Sequence, residues 1–206
     1  MEKKMGKKVV AIGGSYRKNG ITDQAVDAAL RAARQEGAYV KKIYLTDARI
    51  EFCTNCRVCT AEVPERKRGR CVINDEIYRV LAEIESADGL IFAAPVNFGG
   101  PTAVMKRFIE RLIMYTFWPW GVMVPKPRIK ARNKKAVVIT SSSCPAFIGR
   151  LLMPNTARTL KASAGLLGAK VVRSLHFGLV AKEAKQRLTV SQVKKAEAAG
   201  MALVGK

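Results

Sequence analysis

The sequence predicts an α/β fold: a doubly wound, five-stranded parallel sheet in the order 2-1-3-4-5. Two observations carry this. Short apolar runs alternate with segments whose apolar residues recur at helical spacing, the pattern that strand–helix–strand crossovers leave in a sequence. The chain has 206 residues, enough for one such domain with a substantial core. In open sheets of this kind, ligands gather beyond the carboxyl ends of the strands.

The elements follow in order. Lys8–Gly13 is an apolar run ended by glycine, a buried first strand. Thr22–Gln35 places Ala25, Ala28, Ala29, Ala32 and Ala33 on one narrow helical face, and Gly37 closes it. Tyr39–Leu45 reads as the second strand. Arg49–Cys71 is irregular, basic and cysteine-bearing. Asn74 is expected to cap a helix running through Ser86, with Asp75 and Glu76 in its first turn. Gly89–Val96 is the most apolar strand, Thr102–Tyr115 an amphipathic helix, and Lys135–Thr140 the fourth strand. A helix is expected within Gly149–Leu167. Ala169–Phe177 is the fifth strand, read as a core strand that gives the single histidine, His176, a structural role. Thr189–Val204 closes the chain with a helix. Residues 1–206 therefore read as one domain, with a cysteine-bearing insertion at about 49–73.

Charge narrows the partners. Lys and Arg number 37 against 16 Asp and Glu, a formal net charge of +21. Such a field attracts nucleic acid, anionic membranes and phosphorylated cofactors, and equally suits a solvated surface facing an acidic partner. The apolar run after the basic N-terminus, Val9–Ile12, is shorter than the roughly 7–15 residues of an export signal. The charge-free stretch Leu112–Pro125 falls short of the ~20 residues of a membrane span, and Pro119 and Gly121 interrupt it. The expectation is a cytoplasmic protein, away from membranes, with reduced cysteines. Tyr115, Phe117, Trp118 and Trp120 in that stretch predict a homodimer or higher oligomer, because aromatic residues are enriched at interface cores.

Three segments are expected at the carboxyl edge of the sheet. After strand one comes Gly14-Ser15-Tyr16-Arg17-Lys18-Asn19-Gly20-Ile21-Thr22, which opens the first helix. Hydroxyls, amides and a helix N-terminus together suit a phosphate, and Arg17 adds a planar charged donor. The segment matches neither a Walker A loop nor a G-x-G-x-x-G loop, and a plain polar turn is the alternative. After strand three comes Ala94-Pro95-Val96-Asn97-Phe98-Gly99-Gly100-Pro101, whose glycines let backbone approach a flat ligand. After strand four, Ser141, Ser142 and Ser143 offer hydroxyls and amides to a polar ring edge, or form an ordinary polar loop.

These stretches resemble a known family. G-S-Y-R-K-N-G-I-T is similar to the G-S-P-R-K-N-G-N-T loop of the NAD(P)H-dependent FMN reductases and iron–sulfur flavoproteins, which are flavodoxin-like. Cys71-Val72-Ile73-Asn74-Asp75-Glu76 resembles their C-x-x-x-D-D. Residues Ala87–Gly99 resemble A-D-x-I-I-x-x-x-P-V-Y-x-G, and Met105–Arg111 resembles M-K-x-F-I-D-R. The four lie in family order. The resemblance implies that Ser15, Arg17, Asn19, Gly20, Ile21 and Thr22 hold the phosphate of FMN. It also implies that Pro95, Val96, Asn97, Phe98 and Gly99 line the isoalloxazine, with Ser141, Ser142 and Ser143 contributing. Asn97 stands where the family usually has tyrosine, and Glu110 where it usually has aspartate.

Cys53, Cys56 and Cys59 follow C-x2-C-x2-C, and Cys71 comes after eleven intervening residues. Three thiolates at that spacing can turn around one cubane with a distal fourth, so a [4Fe–4S] cluster is expected, with unligated redox thiols as the alternative. In the iron–sulfur flavoproteins a compact cysteine motif sits at this same place and its fourth cysteine follows more closely. Here the insert carries Arg66, Lys67, Arg68 and Arg70. Cys144 stands apart as a pocket residue.

Three functions remain open. One is a flavin reductase using a nicotinamide donor and a small-molecule acceptor. Another is an electron carrier relaying electrons from an acidic protein such as ferredoxin. The third is a basic binding module for nucleic acid or an acidic protein, against which the intact phosphate loop argues. The expected chemistry belongs to the cofactor, with no catalytic side chain assigned.

Overall fold

The computed structural model describes residues 6–61 and 65–205. The start of the basic N-terminus and residues 62–64 of the insert lie outside the described residues. In chain order the elements are β1 (Lys8–Gly13), α1 (Ile21–Gln35), β2 (Tyr39–Tyr44), α2 (Val58–Ala61), α3 (Ile77–Glu85), β3 (Gly89–Asn97), β4 (Gly100–Pro101) and α4 (Ala103–Arg111). A 3-10 turn over Leu112–Tyr115 follows, then β5 (Thr116–Phe117), β6 (Lys126–Pro127), β7 (Lys134–Ser141), α5 (Ala146–Leu152), α6 (Asn155–Leu166), β8 (Ala169–Phe177) and α7 (Val190–Val204).

The sheet runs β2-β1-β3-β7-β8, with every neighbouring pair parallel. This is the expected flavodoxin-like α/β order. Two small additions escaped the sequence reading: β4 folds back antiparallel on β3, and β5–β6 form a separate ribbon. Strand residues alternate between two cores, as the period of two demands. Val9, Ala11, Ile91, Ala93, Val137 and Ile139 face α1 and α7. Val10, Ile12, Leu90, Phe92 and Val138 face α3, α4 and α6. The alanine-rich face of α1 lets α7 lie so close that a Cβ on Gly200 would run into the Ala29 carbonyl. Phe92 and Phe108 are fully enclosed in the opposite core, where truncation to alanine costs about 3–5 kcal/mol each.

Four expectations need correction. The helix after Cys71 begins at Ile77, and Asn74 does not cap it. The Asp75 carboxylate instead takes the Ile77 amide at 2.9 Å, held inward by Arg111. The helix expected within Gly149–Leu167 is α6, but a second helix, α5, precedes it and ends in the same span, because Pro154 disfavours helical backbone at Met153. β8 is an edge strand with much of its length open to solvent, so His176 is half-buried. Finally, Leu112, Met114 and Tyr115 belong to the core, leaving Trp120, Met123 and Val124 as the exposed apolar part of the stretch expected at a dimer contact. No helix among the described residues is long and apolar enough to cross a membrane.

Candidate flavin and cysteine sites

The first loop leaves β1 at Gly14, whose amide donates to the Ala93 carbonyl at 2.8 Å and whose carbonyl accepts from Thr102 Oγ1 at 2.5 Å. A Cβ there would press on Met105, so a glycine lets this loop pack directly on the start of α4. α1 opens at Gly20 with extended backbone and no side-chain cap. Its first amides are therefore available to an anion, and the helix dipole favours one. The Asp23 carboxylate, nearly buried one turn into α1, accepts from the Asn19 amide at 2.8 Å. Lys42 Nζ lies 2.6 Å from that carboxylate and offsets its charge. Burial opposes the Lys42 charge, but its bonds to Asp23 and Asp27 outweigh burial and leave its pKa raised. The Ser15 hydroxyl is engaged locally with the Arg17 backbone, whereas the Arg17 side chain is exposed.

Arg17, Asn19, Gly20 and Ile21 line one side of a cleft of about 540 Å³ whose other side is the segment before α7, including Glu183, Lys185 and Arg187. The second and third loops do not line this cleft. They meet the first loop at its other flank. Pro95 and Ser141 are register partners on β3 and β7, and the buried hydroxyls of Thr22 and Ser141 are 2.7 Å apart. Pro95 and Val96 are half-buried, while Asn97 and Phe98 are exposed at the tip between β3 and β4. Phe98 and Gly99 there hold left-handed backbone, at φ 50 and 78.

Ser143 is exposed, but Ser142 turns inward to His176 Nε2 at 2.9 Å and Cys144 Sγ at 3.2 Å. Thr140 Oγ1 donates to the Leu175 carbonyl and meets His176 Nδ1 at 2.8 Å. Both imidazole nitrogens are thus held by hydroxyls, those of Thr140 and Ser142. Burial, helped by the nearby Arg150 charge, pulls the His176 pKa below its ordinary value.

Cys53, Cys56, Cys59 and Cys71 all line one pocket, with Arg57, Arg111 and Trp118 among its other walls. Asn55 and Arg57 take left-handed backbone, at φ 57 and 63, the kind of turn that gathers amide hydrogens to one side and suits an anion. The Arg57 guanidinium is stacked 3.9 Å from Trp118 and 4.2 Å from Trp120, so these aromatics hold the cysteine loop. Burial, reinforced by the neighbouring thiols of Cys71, Cys53 and Cys56, raises the Cys59 pKa to about 11. The fourth cysteine returns because Gly69 packs on Cys59, where any Cβ would strike the Cys59 carbonyl, and its amide bonds to Met114 at 2.8 Å. The Tyr78 hydroxyl then accepts from the Cys71 amide at 2.7 Å. Within the basic insert, Arg68 is not spread into solvent: it pairs with Glu85 at 2.8 Å, which also accepts from Tyr115.

No group of three or more His, Cys, Asp or Glu side chains among the described residues is arranged to hold a single metal ion. The donor set, four thiols lining one pocket beside a guanidinium, is of the kind an anionic iron–sulfur cluster takes. In a cubane each thiolate ligates a different iron, so the ligands stand further apart than around one ion. An unpartnered guanidinium nitrogen, Arg111 Nε, is also buried in a side chain that walls the pocket.

The sequence reading placed Asp75 in a helix turn and Arg111 in a motif but did not bring the two together. Asp75 and Arg111 form an ion pair at 2.6 Å with both side chains 1% exposed. One signal was available: Arg111 falls on the same helical face as Val104 and Phe108, a charge in an apolar stripe.

Comparison with known proteins agrees with this geometry. Over 132 residues the chain is 36% identical to an iron–sulfur flavoprotein of Archaeoglobus fulgidus, covering 64% of this chain and 54% of that protein. A second iron–sulfur flavoprotein of that organism is 30% identical over 151 residues, 71% of each. The chain spans about half the length of several curated relatives it matches, 54%, 51% and 53%. In fold it is similar to the NAD(P)H:quinone oxidoreductase from Methanothermobacter marburgensis, with a TM-score of 0.67 over 95% of this chain and 98% of that one, at 18% identity. The sequence pattern described as NADPH-dependent FMN reductase matches residues 7–183, from β1 through the cysteine pocket and past the end of β8. A match that runs unbroken through all three strand-end loops places this chain in the NADPH-dependent FMN reductase family.

Proposed function

We propose that the chain is an FMN-dependent oxidoreductase carrying a [4Fe–4S] cluster on Cys53, Cys56, Cys59 and Cys71. It takes electrons from NAD(P)H or from a reduced acidic electron-transfer protein and delivers them to a small-molecule or protein acceptor. The observation that carries the reading is the convergence of all four cysteines on one pocket with a buried cation in its wall. The name iron–sulfur flavoprotein borne by its relatives supports it. When bound, FMN exchanges a hydride for single electrons and the cluster moves electrons one at a time.

The residues divide the work. The uncapped start of α1 and the Arg17 guanidinium hold the phosphate by charge-assisted hydrogen bonds. Pro95–Gly99 and the amides of Ser141–Ser143 orient the ring system. Thr22 and Ser141 lock the first and third loops in register. The Arg57–Trp118–Trp120 stack and the Gly69–Cys59 contact hold the cysteine loops in place.

The test is one protein purified twice, aerobically and under strict anaerobiosis with iron, and read by visible–ultraviolet absorbance with iron, sulfide and released-flavin analysis. Flavin in both preparations, with iron and sulfide in the anaerobic one, is expected. Flavin without iron reduces the proposal to a plain flavin reductase. A protein that takes up no flavin overturns it and favours the basic binding module.

A further inference from the structure

Arg111 sits at the end of α4 with its side chain 1% exposed. Nη1 donates to the Glu51 carbonyl at 2.9 Å and to Asp75 Oδ2 at 2.6 Å. Nη2 reaches Asp75 Oδ1 and the Cys71 sulfur, each at 3.4 Å. Nε has no partner. Packing does not account for this arrangement. A buried ion pair gains little over apolar side chains of the same volume, because desolvation consumes most of the attraction. An apolar side chain, Ile113, already lines the same pocket. What an apolar pair cannot supply is a fixed positive charge touching one of the four sulfurs.

We propose that Arg111 is a positioning residue that sets the reduction potential of the cysteine pocket, with Asp75 as the counter-charge that limits its effect. The inference rests on the cluster reading above. Adding an electron makes the ligated group more negative. A guanidinium at a ligand sulfur stabilises that reduced form through charge and hydrogen bonding, in surroundings where both are strong. Asp75 pulls the other way, but its short bond at 2.6 Å is to Nη1, whereas Nη2 is the nitrogen that reaches Cys71. The pair thus presents its positive end to Cys71.

Three forms of the full chain separate this role from a structural one: Asp75→Asn, the double variant Arg111→Met with Asp75→Asn, and Arg111→Lys. Each is reconstituted anaerobically, checked for fold by circular dichroism, and titrated potentiometrically with absorbance and electron paramagnetic resonance as readouts. Asp75→Asn is expected to shift the cluster midpoint to a more positive value, and the double variant to a more negative one than wild type. Arg111→Lys is expected to keep the cluster and fall between the double variant and wild type. A cluster with the same midpoint in all four proteins overturns the inference while leaving the cluster reading intact. Loss of iron from a folded Arg111→Lys protein overturns it in favour of a purely structural role. Wild-type protein that binds no iron overturns the cluster reading itself, and this inference with it.

Discussion

The hydroxyls of Thr22 and Ser141 meet at 2.7 Å between the start of α1 and the end of β7, with both residues buried. They join two loops separated by most of the chain, so the phosphate end of the site is coupled to its ring end. Replacing Thr22 by valine strands the Ser141 hydroxyl, an error that costs about 1–3 kcal/mol. Thr22→Val with Ser141→Ala is expected to recover part of the loss, and a double-mutant cycle in urea measures the coupling directly.

Arg17 carries an exposed guanidinium beside the uncapped start of α1. Arg17→Ala is expected to weaken FMN binding by the worth of a charge-assisted hydrogen bond, about 1.5–3 kcal/mol, with no change in melting temperature of the flavin-free protein. Flavin fluorescence quenching gives the dissociation constants. Equal affinities would mean that the helix start alone holds the phosphate.

Cys56 is the exposed member of its set, so its removal should not unfold the chain. Cys56→Ala is expected to abolish the roughly four irons and four sulfides of the cubane while FMN stays bound. Metal and flavin analysis of the same sample checks both halves.

His176 has a folded pKa below its ordinary 6.5. The unfolded chain therefore binds a proton at mildly acid pH that the folded chain refuses. The neutral imidazole's contribution is complete above pH 6.5 and is lost as pH falls through that value toward the depressed folded one. Denaturation at about pH 7.5 and pH 5.5 should show a loss of stability in wild type that is smaller in His176→Asn. Parallel losses in the two proteins would remove His176 as the cause.

The main sheet and its order could be read from the sequence because β1, β3 and β7 are compact apolar runs and the longer helices between strands keep one apolar face. The phosphate loop and the cysteines could be read because their residue types are unusual and closely spaced. The misreadings share a different cause. Asn74 looks like a cap until Arg111, far along the chain, draws Asp75 inward. Tyr115 looks like part of an interface until Glu85, distant along the chain, takes its hydroxyl inside the core. Ser142 looks free to face a ligand until β8 brings His176 alongside. Each depends on a partner distant in sequence, and periodicity describes neighbours only.

The contact of Gly69 with Cys59 closes the insert at its base, so the position of Cys71 does not depend on what lies between. Lengthening such a closed excursion is thermodynamically mild: a doubling of its residues costs about 0.6 kcal/mol in chain entropy. The interval between the third and fourth cysteines is accordingly free to drift over evolutionary time without moving the sulfur it delivers. What fixes the last sulfur in this chain is a contact at one glycine, not the number of residues that lead up to it.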